Sequence, residues 1–327
     1  MAFSNTFDTT SPGSASLNRE DLHDAISLLA PSETPILSSA SKFKCNNTFV
    51  EWGVDKLASP DSTAVEEGAD VTDFADSFEN VARLGNYVHK VRRAYRVSDI
   101  QQAVQSAGAQ DIARAEMKAV KEAKRDVEKA ICGTQDRSAE NGAGTASTLR
   151  GLGDWLDSAG PSDVPAAYRT PSGSIHSSGA FTETIMNNLI TSIYRVNGAA
   201  NSLTLVADTA LRRVISDFAR LDGGTGPIRA FNAESDAGLI KLAVSMYESD
   251  HGRVAIVNMN PDCAPDTTDK DTGYLLNPDF YSVGELIGMG STRLPDLGGG
   301  PRGYVDWVGT LKVSHPGAHG KITDVTA

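Results

Sequence analysis

Residues 108–133 read GAQDIARAEMKAVKEAKRDVEKAICG. Glycines bound the stretch and nothing inside it breaks a helix, so it predicts one continuous helix. At 1.5 Å per residue that helix is roughly 35 Å long, well beyond the usual three turns. Ala109, Ile112, Ala119, Val120, Ala123, Val127, Ala130 and Ile131 recur at helical spacing and form one apolar face, while Lys118, Lys121, Arg125 and Lys129 point away from it. Lys118 with Glu122 and Lys124 with Glu128 read as ion pairs one turn apart, in the less favourable order. The stripe is mostly alanine and valine, small enough for a neighbouring layer to come close. The expectation is a stiff beam packed along one side. Glu116 falls within the apolar arc and reads as a carboxylate snorkelling at its edge, the alternative being a functional buried acid.

Composition bounds the rest. The chain has 327 residues, 40% hydrophobic and 22% charged, ordinary for a soluble globular protein and enough for about two domains. No apolar run approaches the roughly 18 residues that a bilayer span needs. The opening MAFSNTFDTTSPGS shows neither a basic nor an apolar signal region. Cys45, Cys132 and Cys263 are far apart and form no CxxC pair, which suits synthesis in a reducing compartment. A net charge of −12 argues against a sequence-independent DNA binder, whose affinity comes from neutralised phosphates. It is compatible with enclosing DNA without gripping it.

Before the beam, residues 1 to about 20 read as an extended polar arm, Asn18–Ala30 as a short helix, and SETPILSSASK (32–42) as extended chain. TFVEWGV (48–54) and NYVHKVRRAYRV (86–97) alternate as strands, the second with Tyr87, Val91, Tyr95 and Val97 on one face. The loop of about thirty residues between them is unusually long, and such loops tend to be functional or interacting. It holds Asp61, Glu66, Glu67, Asp70, Asp73, Asp76 and Glu79, with no Lys or Arg from 57 to 82. Arg83, Lys90, Arg92, Arg93 and Arg96 follow at once. One interpretation is a solvated acidic loop beside a basic strand. The sharper one is an intersubunit contact, in which Glu66, Glu67, Asp70 and Asp73 of one copy meet Arg92 and Arg93 of another. Opposite charge would then set register and orientation more than affinity.

After the beam, residues 134–178 read as loops around an apolar patch at Leu149–Leu156, with Ser98–Ala107 as a polar link before it. A more regular body follows. It comprises a helix over 182–197 stopped by Gly198, a strand at 202–207, a helix over 209–221 capped by Asp208, and a hairpin of 239–247 with 253–259. Residues 259–276 look polar and irregular. Phe280–Met289 and Tyr304–His315 read as strands, the last with a bulge expected at Gly309 and partners far back in the chain.

No constellation of catalytic residues emerges. GGTGPIR (223–229) lacks the GK[ST] of a phosphate loop, and neither GxSxG nor HExxH occurs. Pro316 and Gly317 prevent His315 and His319 from sharing a helix face, so a loop with two exposed histidines is expected rather than a metal pair. The acidic run lacks calcium-loop spacing. Trp52, Trp155 and Trp307 read as core. No catalytic residue, cofactor or metal ligand is nominated.

Ordered phrases carry a resemblance. TPILSSASK (34–42) before NNTFVEWGVDKL (46–57), then EEGAD (66–70), VRRAYRVSD (91–99), KEAKRDVEKAICG (121–133), RGLGDWL (150–156), YESDHGRVAIVNMN (247–260) and DWVGTLKVSHPGAHGKI (306–322) resemble a subfamily of tailed-bacteriophage major capsid proteins. The match spans most of residues 34–322. The resemblance implies an α+β fold of the Hong Kong ninety-seven type. In it, 1–45 is an N-terminal arm, 46–97 an extended loop, 98–179 a peripheral domain with a spine helix at 109–132, 180–258 an axial domain, and 259–327 the return to the peripheral domain. It implies a shell protein without chemistry of its own, forming hexamers and pentamers around double-stranded DNA in the virion and made in the host cytoplasm. A portal and a separate scaffolding protein are the implied partners, the second because only about forty residues precede the first strand; whether a cement protein joins them the resemblance leaves open. No cross-linking pair is nominated. A cellular nanocompartment shell of the same fold is the alternative; a soluble enzyme or a secreted surface-layer protein fits less well.

Overall fold

The structure, a computed structural model, describes residues 33–72, 74, 81–104, 111–198, 202–218, 245–265 and 271–326. The expected helix Asn18–Ala30, the stretch 239–244 and GGTGPIR lie outside the described residues. The chain runs through α1 (Pro35–Ser39), β1 (Ser41–Lys44), β2 (Phe49–Val54), β3 (Ala82–Tyr87), β4 (His89–Arg96), α2 (Asp99–Ala103), α3 (Asp111–Cys132) and α4 (Leu152–Trp155). It continues with β5 (Ile175–His176), β6 (Gly179–Ala180), α5 (Glu183–Asn197), β7 (Leu203–Ala207), α6 (Thr209–Asp217), β8 (Met246–Ser249) and β9 (Gly252–Asn258). It closes with β10 (Gly273–Leu276), β11 (Tyr281–Leu294), β12 (Arg302–Val313), β13 (Gly320–Ile322) and β14 (Val325–Thr326).

The beam is α3, 22 residues and about 33 Å long. Ala119, Ala123, Val127 and Ile131 are buried, and the helix packs along β4 and β12, the close approach that small side chains allow. Ile112, Val120 and Ala130 pack at the margins of that face; Ala109 lies outside the described residues. Glu116 sits at the edge, 3.6 Å from Arg293. Lys118 stands 3.8 Å from Glu122. Glu128, expected to pair with Lys124, instead turns inward and is fully buried.

Under the beam lies a sheet in the order β1-β11-β12-β4, parallel at β1 and antiparallel elsewhere. The final long strand does find a distant partner: Trp307 lies opposite Val91. The bulge, however, is on β11. Its register slips between Glu285 and Ile287 and again between Ile287 and Gly290. Gly309 is required for another reason, since a Cβ there would lie 2.3 Å from the Gly284 carbonyl oxygen.

NYVHKVRRAYRV is two strands, not one. It divides at Val88, whose amide donates to the Thr48 carbonyl at 2.9 Å. β3 pairs with β2 as a separate hairpin while β4 joins the large sheet. The buried set changes phase across the break, from Leu84 and Asn86 on β3 to Val91 and Tyr95 on β4, with Val88 itself buried. SETPILSSASK holds a short helix and a strand rather than only extended chain, with Pro35 in the first turn of α1, where a missing N–H costs nothing. The polar link before the beam contains α2, capped by Ser98.

A second sheet, β5-β13-β10-β7-β9-β8, shares a core with α5 and α6 built from Met186, Leu189, Ile193, Leu205, Leu211 and Val254. Thr182 caps α5 and Gly198 ends it at φ 66°; Asp208 caps α6. Residues 259–276 are not irregular throughout. β10 is a central strand with all four residues buried, and a strand buried on both faces shows no alternation.

The stretch 134–178 closes around Arg150 as well as the expected apolar patch. Leu149, Leu152, Trp155 and Leu156 are buried. The buried Arg150 guanidinium reaches Asp136 at 2.6 Å, Asp163 at 2.7 Å and Asp154 at 2.9 Å, and lies 4.8 Å over the Trp155 ring. The two histidines are not both exposed. The turn at Pro316–Ala318 folds His319 into the core, where its Nδ1 accepts the Asn277 amide at 3.1 Å and burial lowers its pKa to about 4. His315 is half-buried and accepts the Gly317 amide at 3.2 Å.

Candidate assembly surfaces

The β2–β3 hairpin is fixed at its root and open at its tip. At the root Trp52 meets Trp155 with ring centroids 5.8 Å apart. Asn86 is fully buried between three backbone groups. Its amide donates to the Leu311 carbonyl at 2.8 Å and the Arg150 carbonyl at 3.3 Å, and its oxygen accepts the Arg150 amide at 2.8 Å. Arg137 donates to the Gly85 carbonyl and Thr310 to the Tyr87 carbonyl, closing the base. Beyond Val54 the picture inverts. Residues 55–72 form no helix or strand and are exposed throughout. Leu57 is 92% exposed, Val65 80%, Val71 71% and Phe74 86%. Large apolar side chains held in water at the end of a fixed root have the character of an interaction surface.

The acidic residues nominated from sequence share that tip. Glu66, Glu67 and Asp70 are exposed, whereas Asp73 lies outside the described residues. The arginines stand on β4 and already hold carboxylates of their own chain. Arg92 makes a two-pronged contact with Asp306 at 2.7 and 2.6 Å, and Arg93 does the same with Asp126. Those bonds raise both arginine pKa values and lower that of Asp306. Both side chains stay about half exposed. The structure therefore brings each arginine to an acid, but not to the acids of the loop.

The arm enters through a second fixed point. Both Glu128 oxygens accept backbone amides, from Ile36 at 2.9 Å and from Leu37 at 2.8 Å. These are first-turn amides of α1, which have no partner inside their own helix. Asn260 donates to the Glu33 carbonyl at 2.9 Å, and Ser39 shares a 2.7 Å hydrogen bond with Tyr281. Burial raises the Glu128 pKa to about 7, against the opposing pull of the two amides. Sequence reading missed Glu128, Asn86 and Arg150. Only the start of α1 at Pro35, with amides needing an acceptor, hints at the first of them.

Among the described residues no group of three His, Cys, Asp or Glu is placed to hold a metal ion, and no helix is long and apolar enough to cross a membrane.

A family model described as SU10 major capsid protein matches residues 3–326. No curated protein sequence matches the chain. Among solved structures, the capsid of a native GTA particle superposes with a TM-score of 0.62 at 14% identity, over 98% of this chain and 99% of that one. The capsid of cyanophage P-SCSP1u superposes with a TM-score of 0.63 at 11% identity, over 98% and 97%. The holo-SrpI encapsulin complex of Synechococcus elongatus gives 0.58 at 9% identity, over 98% and 96%. At such identities the likeness is one of fold. The α+β architecture expected from the sequence is the one these shells share.

Proposed function

This chain belongs to the SU10 major capsid protein family, and from that premise we propose that its copies assemble into hexamers and pentamers closing an icosahedral shell around the double-stranded DNA of a tailed bacteriophage. The observation that carries the reading is the hairpin of β2 and β3. Its root is locked into its own subunit, while its tip leaves apolar and acidic side chains exposed, with no partner across the subunit among the described residues. A ring of identical subunits supplies the missing surface through heterologous contacts, and rings close into a shell.

In this reading residues 1–45 are the arm, 46–97 the extended loop, 98–179 and 259–327 the peripheral domain, and 180–258 the axial domain. The last is completed by strands from elsewhere, since β5, β10 and β13 share its sheet. Glu66, Glu67, Asp70 and Asp73 meet the basic face of a neighbour that includes Arg92 and Arg93, whose half-exposed guanidinium groups extend their own ion pairs into a network. The protein catalyses no reaction and needs no cofactor. It is made in the host cytoplasm and resides in the virion. A portal and a separate scaffolding protein complete the particle, and a cement protein is a further candidate partner. The encapsulin likeness keeps one second reading alive, a nanocompartment whose cargo is an enzyme instead of a genome. Electron microscopy of purified protein tests the proposal. Closed particles or rings of five or six support it, and a preparation containing only single molecules at high concentration contradicts it.

A further inference from the structure

The solvent face of α3 carries five exposed cations, Arg114, Lys118, Lys121, Lys124 and Lys129. They fall within an arc of about 140° opposite the buried alanines and span about 22 Å of helix axis. Neighbouring cations are already engaged: Arg93 with Asp126, Arg125 with Asp262, Arg293 with Glu116. The ridge is not. Among the described residues Arg114, Lys121, Lys124 and Lys129 have no carboxylate at ion-pair distance, and Lys118 has only Glu122 at 3.8 Å. In a chain of net charge −12 this is a local reversal of sign, held straight by a rigid helix.

Two polyanions compete for such a ridge: nucleic acid, and the acidic loop of a second copy. The apolar content decides between them. Around its acids the loop exposes Leu57, Val65, Val71 and Phe74, so its partner must offer apolar surface as well as charge. The ridge offers little beyond Met117. It matches a partner that is charged all along and needs no greasy pocket. Double-stranded DNA carries a negative charge about every 1.7 Å of its axis, so a duplex lying along the ridge presents about a dozen phosphate charges to five cations.

We propose that the free face of α3 lies against the packaged double-stranded DNA, making sequence-independent phosphate contacts on the inner wall of the shell. The proposal rests on the reading that these shells enclose DNA. It adds which surface faces the genome, and it reconciles an acidic container with its cargo. Contact is confined to one narrow strip per subunit, while the rest of the wall repels.

Lysine acetylation of filled and empty particles, read by mass spectrometry, tests this. A small reagent enters both. The expected result is a several-fold loss of labelling at Lys118, Lys121, Lys124 and Lys129 in filled particles relative to empty ones, with Lys44 and Lys90 changing little. Equal, high labelling of the ridge in both particle types would overturn the proposal, because the ridge then faces away from DNA. Equal protection in both would overturn it too, since protein then covers the ridge. Failure to obtain closed particles would instead strike the shell reading itself.

Discussion

Replacing Glu128 by Gln isolates the latch between arm and beam. In the wild type, releasing α1 returns Glu128 to water and its pKa to the ordinary 4.5, whereas burial holds it near 7 in the docked state. Between those two values the docked state binds more protons than the released one, so docking weakens as pH rises. The contribution is fully present below 4.5 and lost as pH passes through about 7. Its size is about 3 kcal/mol, at roughly 1.4 kcal/mol for each factor of ten. Glu128→Gln has no proton to exchange. It also sets an amide group against one of the two backbone donors, a pH-independent cost of about 1–3 kcal/mol. Hydrogen exchange of the peptide 33–40 in unassembled protein, corrected for intrinsic rates, reads the arm directly. Wild-type protection should fall roughly a hundredfold from near pH 4 to near pH 8. The variant should start less protected and stay flat, so the two curves converge in alkali. Parallel pH profiles would refute the reasoning, because Glu128 would then not be the group that titrates with docking.

Other consequences follow from the same contacts. Arg150→Met leaves Asp136, Asp154 and Asp163 without their shared cation. Since those carboxylates reach solvent in part, the loss should be about 2–4 kcal/mol, measured from urea midpoints. A loss below about 0.5 kcal/mol would make the cluster ornamental. Deleting residues 57–80 behind a short linker should keep the Val54–Ala82 pairing and the fold by circular dichroism, yet stop assembly at rings or monomers; wild-type shells from the deletion would count against the loop. Neutralising Arg92 and Arg93 to Ala should slow assembly and flatten its salt dependence by light scattering. An unchanged salt profile would confine both arginines to their bonds with Asp306 and Asp126.

How much of this was legible beforehand depended on whether a residue acts locally. The beam announced itself because Ala119, Ala123, Val127 and Ile131 repeat at the helical period and the burial follows that repeat. The cap at Asp208 and the stop at Gly198 were equally plain, being chemistry between near neighbours. Long-range choices were not. Glu128 looked like a surface partner for Lys124, and only the arm, 91 and 92 residues away in sequence, turns it into a buried acceptor. The break at Val88 is where the buried set changes phase, from Leu84 and Asn86 to Val91 and Tyr95, a change hidden because the buried Asn86 looks like a surface residue. His319 is buried by a turn that sequence suggested would expose it. The acidic loop was conspicuous in composition, but the exposure of Phe74, Leu57 and Val65 needed the structure to show that the subunit leaves them uncovered.

The central claim is that neighbouring copies complete what a single subunit leaves open. Hydrogen exchange over residues 55–72, compared between unassembled protein and closed shells, tests it most directly. The account predicts near-intrinsic exchange in the free subunit and strong protection in the shell. Fast exchange of this segment in both states would contradict it.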